Sequence, residues 1–92
     1  MDQDEFPQVL VTLLSTDGTV LHQTHVRTRP EQRFGKLMRW VCRRMGWSLA
    51  SHDVVSGGSV LNDCTDEMWR FEIPAGRCLE VRLQPKWIND SF

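Results

Sequence analysis

The stretch KLMRWVCRRMGWS, residues 36–48, decides the fold of this chain. Apolar side chains recur in it and just before it at the spacing i, i+3, i+4, i+7, i+8 and i+11, which places them on one stripe of a helix. They are Phe34, Leu37, Met38, Val41, Cys42 and Met45. Gly46 is expected to end the helix, since glycine readily adopts the positive φ of a C-terminal cap. The stretch therefore predicts one amphipathic helix.

The start of this helix is less sharply marked than its end. Pro30 is expected to open it, because a proline in the first turn loses no hydrogen bond. Gly35 costs the first turns about 1 kcal/mol in helix propensity. The pattern therefore leaves the first helical residue open.

Segments rich in β-branched or alternating residues flank the helix and predict a sheet. The predicted strands are residues 8–15, 20–27, 52–56, 60–61 and 77–83. Asp17-Gly18 joins the first two as a hairpin turn, and the polar second strand suits a sheet edge. This order predicts an α+β domain at residues 9–84, with a mixed four- to five-stranded sheet packed on one main helix. Residues 1–8 are then a flexible segment and residues 85–92 a C-terminal tail.

Two tryptophans outside the helix also receive an interpretation. Trp69, close to Met68 and Phe71 in the chain, is expected to close the bottom of the core. Trp87 is expected either to fold back on the sheet or to belong to an interface. Self-association is expected if several such large apolar residues are exposed.

Composition and charge indicate one small domain whose basic and acidic residues are concentrated in different segments. The chain has 92 residues, 40% of them hydrophobic, and a net charge of −1, which suits a single modest core. Basic residues dominate positions 27–44 and acidic residues dominate positions 53–80, so one face suits acidic partners and another basic ones. The acidic start lacks the order of a signal peptide, and no apolar run is long enough to span a membrane. A cytoplasmic or nuclear location is therefore expected.

The pattern of reactive residues argues against catalysis and against metal binding. The sequence contains no phosphate loop, nucleophile elbow or plausible catalytic triad. The cysteines, Cys42, Cys64 and Cys78, are odd in number and widely spaced, which disfavours a disulfide framework. Together with the histidines they form no recognised ligand spacing. We expect no enzyme activity, no cofactor and no metal site.

Five motifs resemble SUMO, the small ubiquitin-like modifier, and the SUMO-like domains of larger genome-stability proteins. They are DGTV at 17–20, RTRP at 27–30, KLM at 36–38 followed by Cys42, Arg44 and Gly46, GGSVLN at 57–62, and LEV at 79–81. The resemblance implies a ubiquitin-like β-grasp fold and favours the nucleus as the location. The sequence differs from the family after the last strand, because residues 87–92 read WINDSF where a modifier ends in Gly-Gly. The chain as it stands is therefore not expected to be conjugated.

The resemblance also implies a peptide-binding groove between the second strand and the helix. By the matching motif, the groove positions are Leu37, Val41 and Arg44. The helical wheel adds Arg33 and Trp40, which lie just beyond the edge of the apolar stripe. The strand adds Thr24, His25, Val26 and Arg27, with a register open by one residue.

Elementary chemistry supports such a groove independently of the resemblance. An edge strand offers free backbone groups to an extended peptide, and basic neighbours favour acidic or phosphorylated flanks. Two alternatives remain open at this point. In the first, Leu37 and Val41 pack only in the core and contact no partner. In the second, the basic residues of positions 27–44 are simply exposed to solvent.

A second partner face is expected at Asp63, Asp66 and Glu67, on the side opposite the groove. The resemblance assigns it to docking of the SUMO-conjugating enzyme. The function predicted from the sequence is therefore a non-covalent, SUMO-like interaction module that recruits SUMO-pathway proteins or SUMO-interacting-type peptides. The alternatives are a ubiquitin-like modifier cut before its Gly-Gly end and, less favoured, a nucleic-acid adaptor that uses the basic face of residues 27–44.

Overall fold

The computed structural model describes residues 6–74 and 76–86, and these form one mixed sheet and one α-helix. The elements are β1 (Gln8–Leu14), β2 (Val20–Arg27), α1 (Phe34–Met45), β3 (His52–Ser56), β4 (Ser59–Val60) and β5 (Leu79–Pro85). Short 3-10 turns occur at Leu49–Ser51 and Met68–Arg70. The strand order is β2-β1-β5-β3-β4, with β1 and β5 parallel and the other neighbours antiparallel. The predicted α+β architecture is confirmed.

The core lies between one face of the sheet and the apolar stripe of α1. Val9 and Val11 of β1 pair with Leu79 and Val81 of β5, so alternate residues of both central strands point to the same face. The helix covers this face with five buried side chains, which are Phe34, Leu37, Met38, Val41 and Cys42. Met45, the last residue of the predicted stripe, is half-buried. The periodicity thus identified the buried face of the helix correctly.

The helix begins at Phe34, so the prediction that Pro30 opens it is wrong. The backbone around Pro30 is held by a different segment of the chain. The N–H groups of Trp69 and Met68 donate to the carbonyls of Pro30 and Gln32, at 3.0 and 2.9 Å. Those carbonyls are therefore not available for a first helical turn.

The end of the helix follows the prediction. Gly46 has φ 78° and its N–H donates to Arg43, while the N–H of Trp47 donates to Cys42 at 2.8 Å. This is a Schellman-type cap, which satisfies the last helical carbonyls. Gly35 near the other end also has a reason, since a Cβ there would lie 3.0 Å from the carbonyl oxygen of Cys64. The loop before the second 3-10 turn can approach the helix closely only at a glycine.

Met68, and not Trp69, closes the bottom of the core. Met68 is 0% exposed and Trp69 is 57% exposed, which corrects the prediction for Trp69. Successive residues of a 3-10 turn point in directions about 120° apart, so only one of the two can face inward. The indole N–H of Trp69 instead donates to the carboxylate of Glu67, and the Arg70 guanidinium lies 4.9 Å from its ring.

Smaller differences concern the ends of the last two strands. The last strand runs from Leu79 to Pro85, two residues further along the chain than predicted, and Pro85 pairs with His52 at its end. The fourth strand is Ser59–Val60, one residue earlier than predicted. Trp87, for which a packing or interface role was predicted, lies outside the described residues.

The β1–β2 turn is fastened by side chains of the predicted hairpin. Gly18 has φ 87°, and the N–H of Thr19 donates to a carboxylate oxygen of Asp17 at 3.0 Å. The hydroxyl of Ser15 also donates to Asp17. Hydrogen bonds from the Ser15 and Thr19 side chains and from the Thr19 backbone lower the pKa of Asp17 from 3.8 to about 2.

Candidate functional site

Strand β2 lies at one edge of the sheet, as its polar sequence predicted. Its neighbour in the described residues is β1, and no other described strand pairs with it. Alternate N–H and C=O groups of such an edge strand point away from the sheet and remain open to another chain. The edge thus supplies backbone hydrogen-bonding groups for an added strand.

The pairing with β1 settles which side chains of β2 face the helix. Val26 pairs with Val9 and Thr24 pairs with Val11. Both partners on β1 are 0% exposed, and residues directly opposite each other share a face of the sheet. Thr24 and Val26 therefore point toward the side covered by α1, and His25 and Arg27 point to the open side. This resolves the one-residue register that the sequence left open.

An open groove lies between β2 and α1. One part of it has a volume of about 460 Å³ and is lined by Val26, Arg27, Thr28, Arg29, Gln32, Lys36, Leu37 and Trp40. The adjoining part has a volume of about 290 Å³ and is lined by Thr24, His25, Val26, Arg27, Trp40, Val41, Arg44 and Met45. Val26, Arg27 and Trp40 line both parts. We call these two parts together the β2–α1 groove.

Trp40 is the large apolar side chain at the middle of the β2–α1 groove. It is 51% exposed, and the guanidinium of Arg44 lies 5.6 Å from its ring centroid. This distance allows a cation–π contact, which holds both side chains along the helix rim. Trp40 therefore offers a flat, accessible ring between the two parts of the groove.

The lining of the β2–α1 groove is strongly basic. Three basic residues, Arg29, Lys36 and Arg44, line it together with the backbone of Arg27, whose side chain points to the open side of the sheet. None of the residues that line its two parts is an aspartate or a glutamate. A groove with cations on the rim and apolar side chains inside attracts a ligand with an apolar centre and acidic flanks.

The structure brings together eight of the nine residues predicted for the groove. The backbone of His25 and Arg27 runs along its edge while their side chains belong to the open side of the sheet. Leu37 and Val41 line it but are only 5% and 1% exposed, so most of their surface serves the core. They therefore serve mainly the core, though not the core alone, because each also contributes to the groove lining.

Arg33 is not among the residues that line the β2–α1 groove. It precedes the helix, and its Nη1 donates to the carbonyl oxygen of Thr65 at 3.0 Å. It lines a separate depression of about 420 Å³ with Lys36 and Arg39 on the other flank of the helix. The prediction that Arg33 lines the groove is therefore wrong. Its backbone forms a β-bridge with Glu67, and its side chain is hydrogen-bonded to the loop at Thr65.

Several groove residues were not predicted from the sequence. Lys36 lies four residues before Trp40, which lies four before Arg44, so the three form one line along the helix. That spacing was a usable signal. Thr28, Arg29 and Gln32 belong to the connection between β2 and α1, whose path carries no periodic signal.

The three acids of the second predicted face lie in the loop beside the helix start. Asp63 lines the same depression as Arg33 and Arg39, and the carbonyl of Asp66 accepts a hydrogen bond from the N–H of Phe34 at 2.9 Å. The loop that carries these acids approaches the helix at Gly35, and the depression that Asp63 lines lies on the flank of the helix away from the β2–α1 groove. Docking of a SUMO-conjugating enzyme on Asp63, Asp66 and Glu67 stays a prediction.

The described residues were also compared with the requirements of a metal site and of a membrane-spanning helix. Within residues 6–74 and 76–86, no three His, Cys, Asp or Glu side chains lie close enough together to hold a metal ion. The same part of the chain contains no helix long and apolar enough to cross a membrane.

Comparison with solved structures identifies the fold. The chain is similar to the ubiquitin of Caldiarchaeum subterraneum, with a TM-score of 0.67 and 11% identity over 88% of this chain and 94% of that one. It is also similar to the UBL domain of yeast Ddi1, with a TM-score of 0.66 and 11% identity over 95% of each chain. Comparisons with protein-family models and with curated protein sequences give no match. The chain has the ubiquitin-like β-grasp fold.

Proposed function

We propose that this chain is a non-covalent, ubiquitin-like interaction module that binds extended peptides in the β2–α1 groove. The peptide has an apolar centre of Val or Ile type and acidic flanks. One observation carries the proposal: a basic groove with an accessible tryptophan lies directly beside the open edge of β2. In this role the module acts without catalysis.

The peptide binds by adding a strand to β2. Its backbone pairs with the open edge, and its alternate side chains point toward α1, as Thr24 and Val26 already do. Residues 24–29 line the groove on the sheet side, a length that matches about six extended peptide residues at about 3.3 Å each. Trp40 covers the apolar centre of the peptide, and Lys36 and Arg44 meet its acidic flanks.

The SUMO-like motifs support the finer form of the proposal. Leu37, Val41 and Arg44 are the positions that match the family's groove, and all three line the groove of this chain. We therefore propose that its partners are SUMO-interacting-type peptides or other components of the SUMO pathway, which places the module in the nucleus.

Two adjacent arginines give a matched test. Arg44 lines the groove, whereas its exposed neighbour Arg43 is not among the lining residues. Arg44→Glu and Arg43→Glu change the net charge equally, so any long-range electrostatic effect is the same in both. Fluorescence anisotropy with a labelled acidic, Val/Ile-rich peptide measures the affinity of each variant.

We expect Arg44→Glu to weaken binding about fivefold, which corresponds to about 1 kcal/mol for one exposed charge contact. Arg43→Glu is expected to stay within about twofold of the wild type. Trp40→Ala removes the apolar centre of the site and is expected to cost about 2 kcal/mol, or about 30-fold. Equal losses in both arginine variants, or no loss in either, contradict the groove.

An oligonucleotide serves as the competing ligand in the same assay. Tighter binding of the oligonucleotide than of the peptide, with affinity falling steeply as salt rises, would replace the proposal with a nucleic-acid adaptor. The acidic peptide is expected to bind and the oligonucleotide to compete poorly at physiological salt.

A further inference from the structure

A histidine and a cysteine meet on the open face of the sheet. Nε2 of His25 lies 3.1 Å from Sγ of Cys78, well within hydrogen-bonding distance for sulfur. His25 is exposed and Cys78 is half-buried at the base of β5. The pair is therefore reachable from solvent and lies on the face opposite the helix.

Strand register explains why residues so far apart in sequence come together. His25 pairs with Leu10 of β1, and Leu10 pairs with Glu80 of β5. Cys78 is two residues before Glu80, so both point to the same face as His25. The histidine reaches across β1 to the cysteine, which no sequence spacing reveals.

We propose that Cys78 is a site of reversible thiol modification, with His25 as its base and a small, carboxylate-bearing disulfide as its co-reactant. This inference does not depend on the proposed function. The imidazole Nε2 takes the proton of the Cys78 thiol, and the thiolate is the form that attacks a disulfide.

The exchange balances without any further reagent. Cys78 Sγ forms a bond to one sulfur of the disulfide while the disulfide's own S–S bond breaks. Cys78 is oxidised to a mixed disulfide, and the departing half of the co-reactant is reduced to a thiolate. That thiolate takes the proton from the His25 imidazolium and leaves as a thiol.

The surrounding charges favour an acidic co-reactant. Arg27 of β2 and Arg82 of β5 lie on the same face by strand register, and Arg77 precedes Cys78 in the chain. The acids of this face are Glu80 of β5 and Asp53 of β3, and Asp53 pairs with Gln84, six residues further along the chain than Cys78. The three basic residues outnumber the two acids, so a disulfide that carries carboxylates is attracted to the pair.

The other two cysteines provide internal comparisons. Cys42 is only 2% exposed, and burial raises the pKa of its thiol, so it should be inert. Cys64 is half-buried like Cys78, but its described hydrogen bonds include none to an imidazole. The three cysteines thus differ in the two properties that set thiol reactivity, exposure and the presence of a base.

The test measures reaction of the full chain with the dicarboxylate disulfide DTNB, and peptide mapping by mass spectrometry then assigns the modified cysteine. We expect Cys78 to react about tenfold faster than Cys64 near pH 7, since a positioned base accelerates proton transfer at least that much. His25→Gln is expected to remove this advantage. His22→Gln, in the same strand but beside Trp47 and not Cys78, is the matched control and should leave the rate unchanged.

A pH profile separates a base from a merely structural neighbour. The rate at Cys78 should depend on pH differently in the wild type and in His25→Gln, because the imidazole accepts the thiol proton in the first and water must accept it in the second. His25→Asn is a second variant in case glutamine perturbs the strand. Equal rates at Cys78 and Cys64, or an unchanged profile in both His25 variants, would overturn the proposal.

Discussion

Truncation of Met68 should destabilise the domain far more than truncation of its neighbour Trp69. The two residues are adjacent in one 3-10 turn, but Met68 is 0% exposed and Trp69 is 57% exposed. Large residues are usually assumed to contribute most to a core. This pair therefore tests the orientation of the turn beneath the helix.

The expected magnitudes follow from burial. Met68→Ala removes a fully buried side chain in a close-packed core and should cost about 3 kcal/mol, within the usual range for such cavities. In a domain of this size, that lowers Tm by about 12–24 °C. Trp69→Ala loses a surface hydrogen bond and a cation–π contact, which together should cost less than about 1 kcal/mol. Met68→Leu keeps the volume and should cost less than about 1.5 kcal/mol.

Urea unfolding followed by far-UV circular dichroism measures these differences without relying on tryptophan fluorescence. The expected order of destabilisation is Met68→Ala, then Met68→Leu or Trp69→Ala. If Trp69→Ala destabilised the domain more than Met68→Ala, the turn would be oriented the other way and the reasoning would be refuted.

Two further predictions concern the turns that shape the sheet. Asp17→Asn should lower Tm at neutral pH, because the carboxylate with a pKa of about 2 stabilises the fold above its unfolded value of 3.8. The difference from the wild type should shrink as pH falls from about 4 to about 2, and a gap that stays constant over this range would contradict the assignment. Asn62→Ala should cost about 2 kcal/mol, since its side-chain oxygen accepts from the N–H of buried Val54 at 2.7 Å and its loss leaves that donor unpaired. Asp63→Ala is the neighbouring control and should change the unfolding free energy by less than about 0.5 kcal/mol, so equal effects of the two variants would count against the hydrogen bond.

The sequence predicted correctly those features of the fold that depend on residues close together in the chain. The stripe from Phe34 to Met45, the cap at Gly46 and the hairpin at Asp17-Gly18 all depend on residues within a few positions of each other. The polar sequence of β2 identified the sheet edge for the same reason. Together with the resemblance to the SUMO family, these features led to the prediction of a groove between β2 and α1.

The errors occurred where distant segments meet. Pro30 does not open the helix because the turn at Met68–Arg70 uses the backbone carbonyls around it. Arg33 does not line the groove because its guanidinium donates a hydrogen bond to the carbonyl of Thr65. Trp69 points to solvent because Met68 occupies the core position of the same turn. The contact of His25 with Cys78 depends on the parallel pairing of β1 with β5, which local patterns do not encode.

The central claim is that the β2–α1 groove receives an extended, acidic-flanked peptide. The most direct measurement is an amide NMR titration of the isotope-labelled chain with a short Val/Ile-rich peptide of that kind. The account predicts shifts at residues 24–29 and along the helix rim from Lys36 to Arg44, with protection of the outward β2 amides as a new strand forms. No shifts at millimolar peptide, or shifts centred away from β2 and α1, would contradict it.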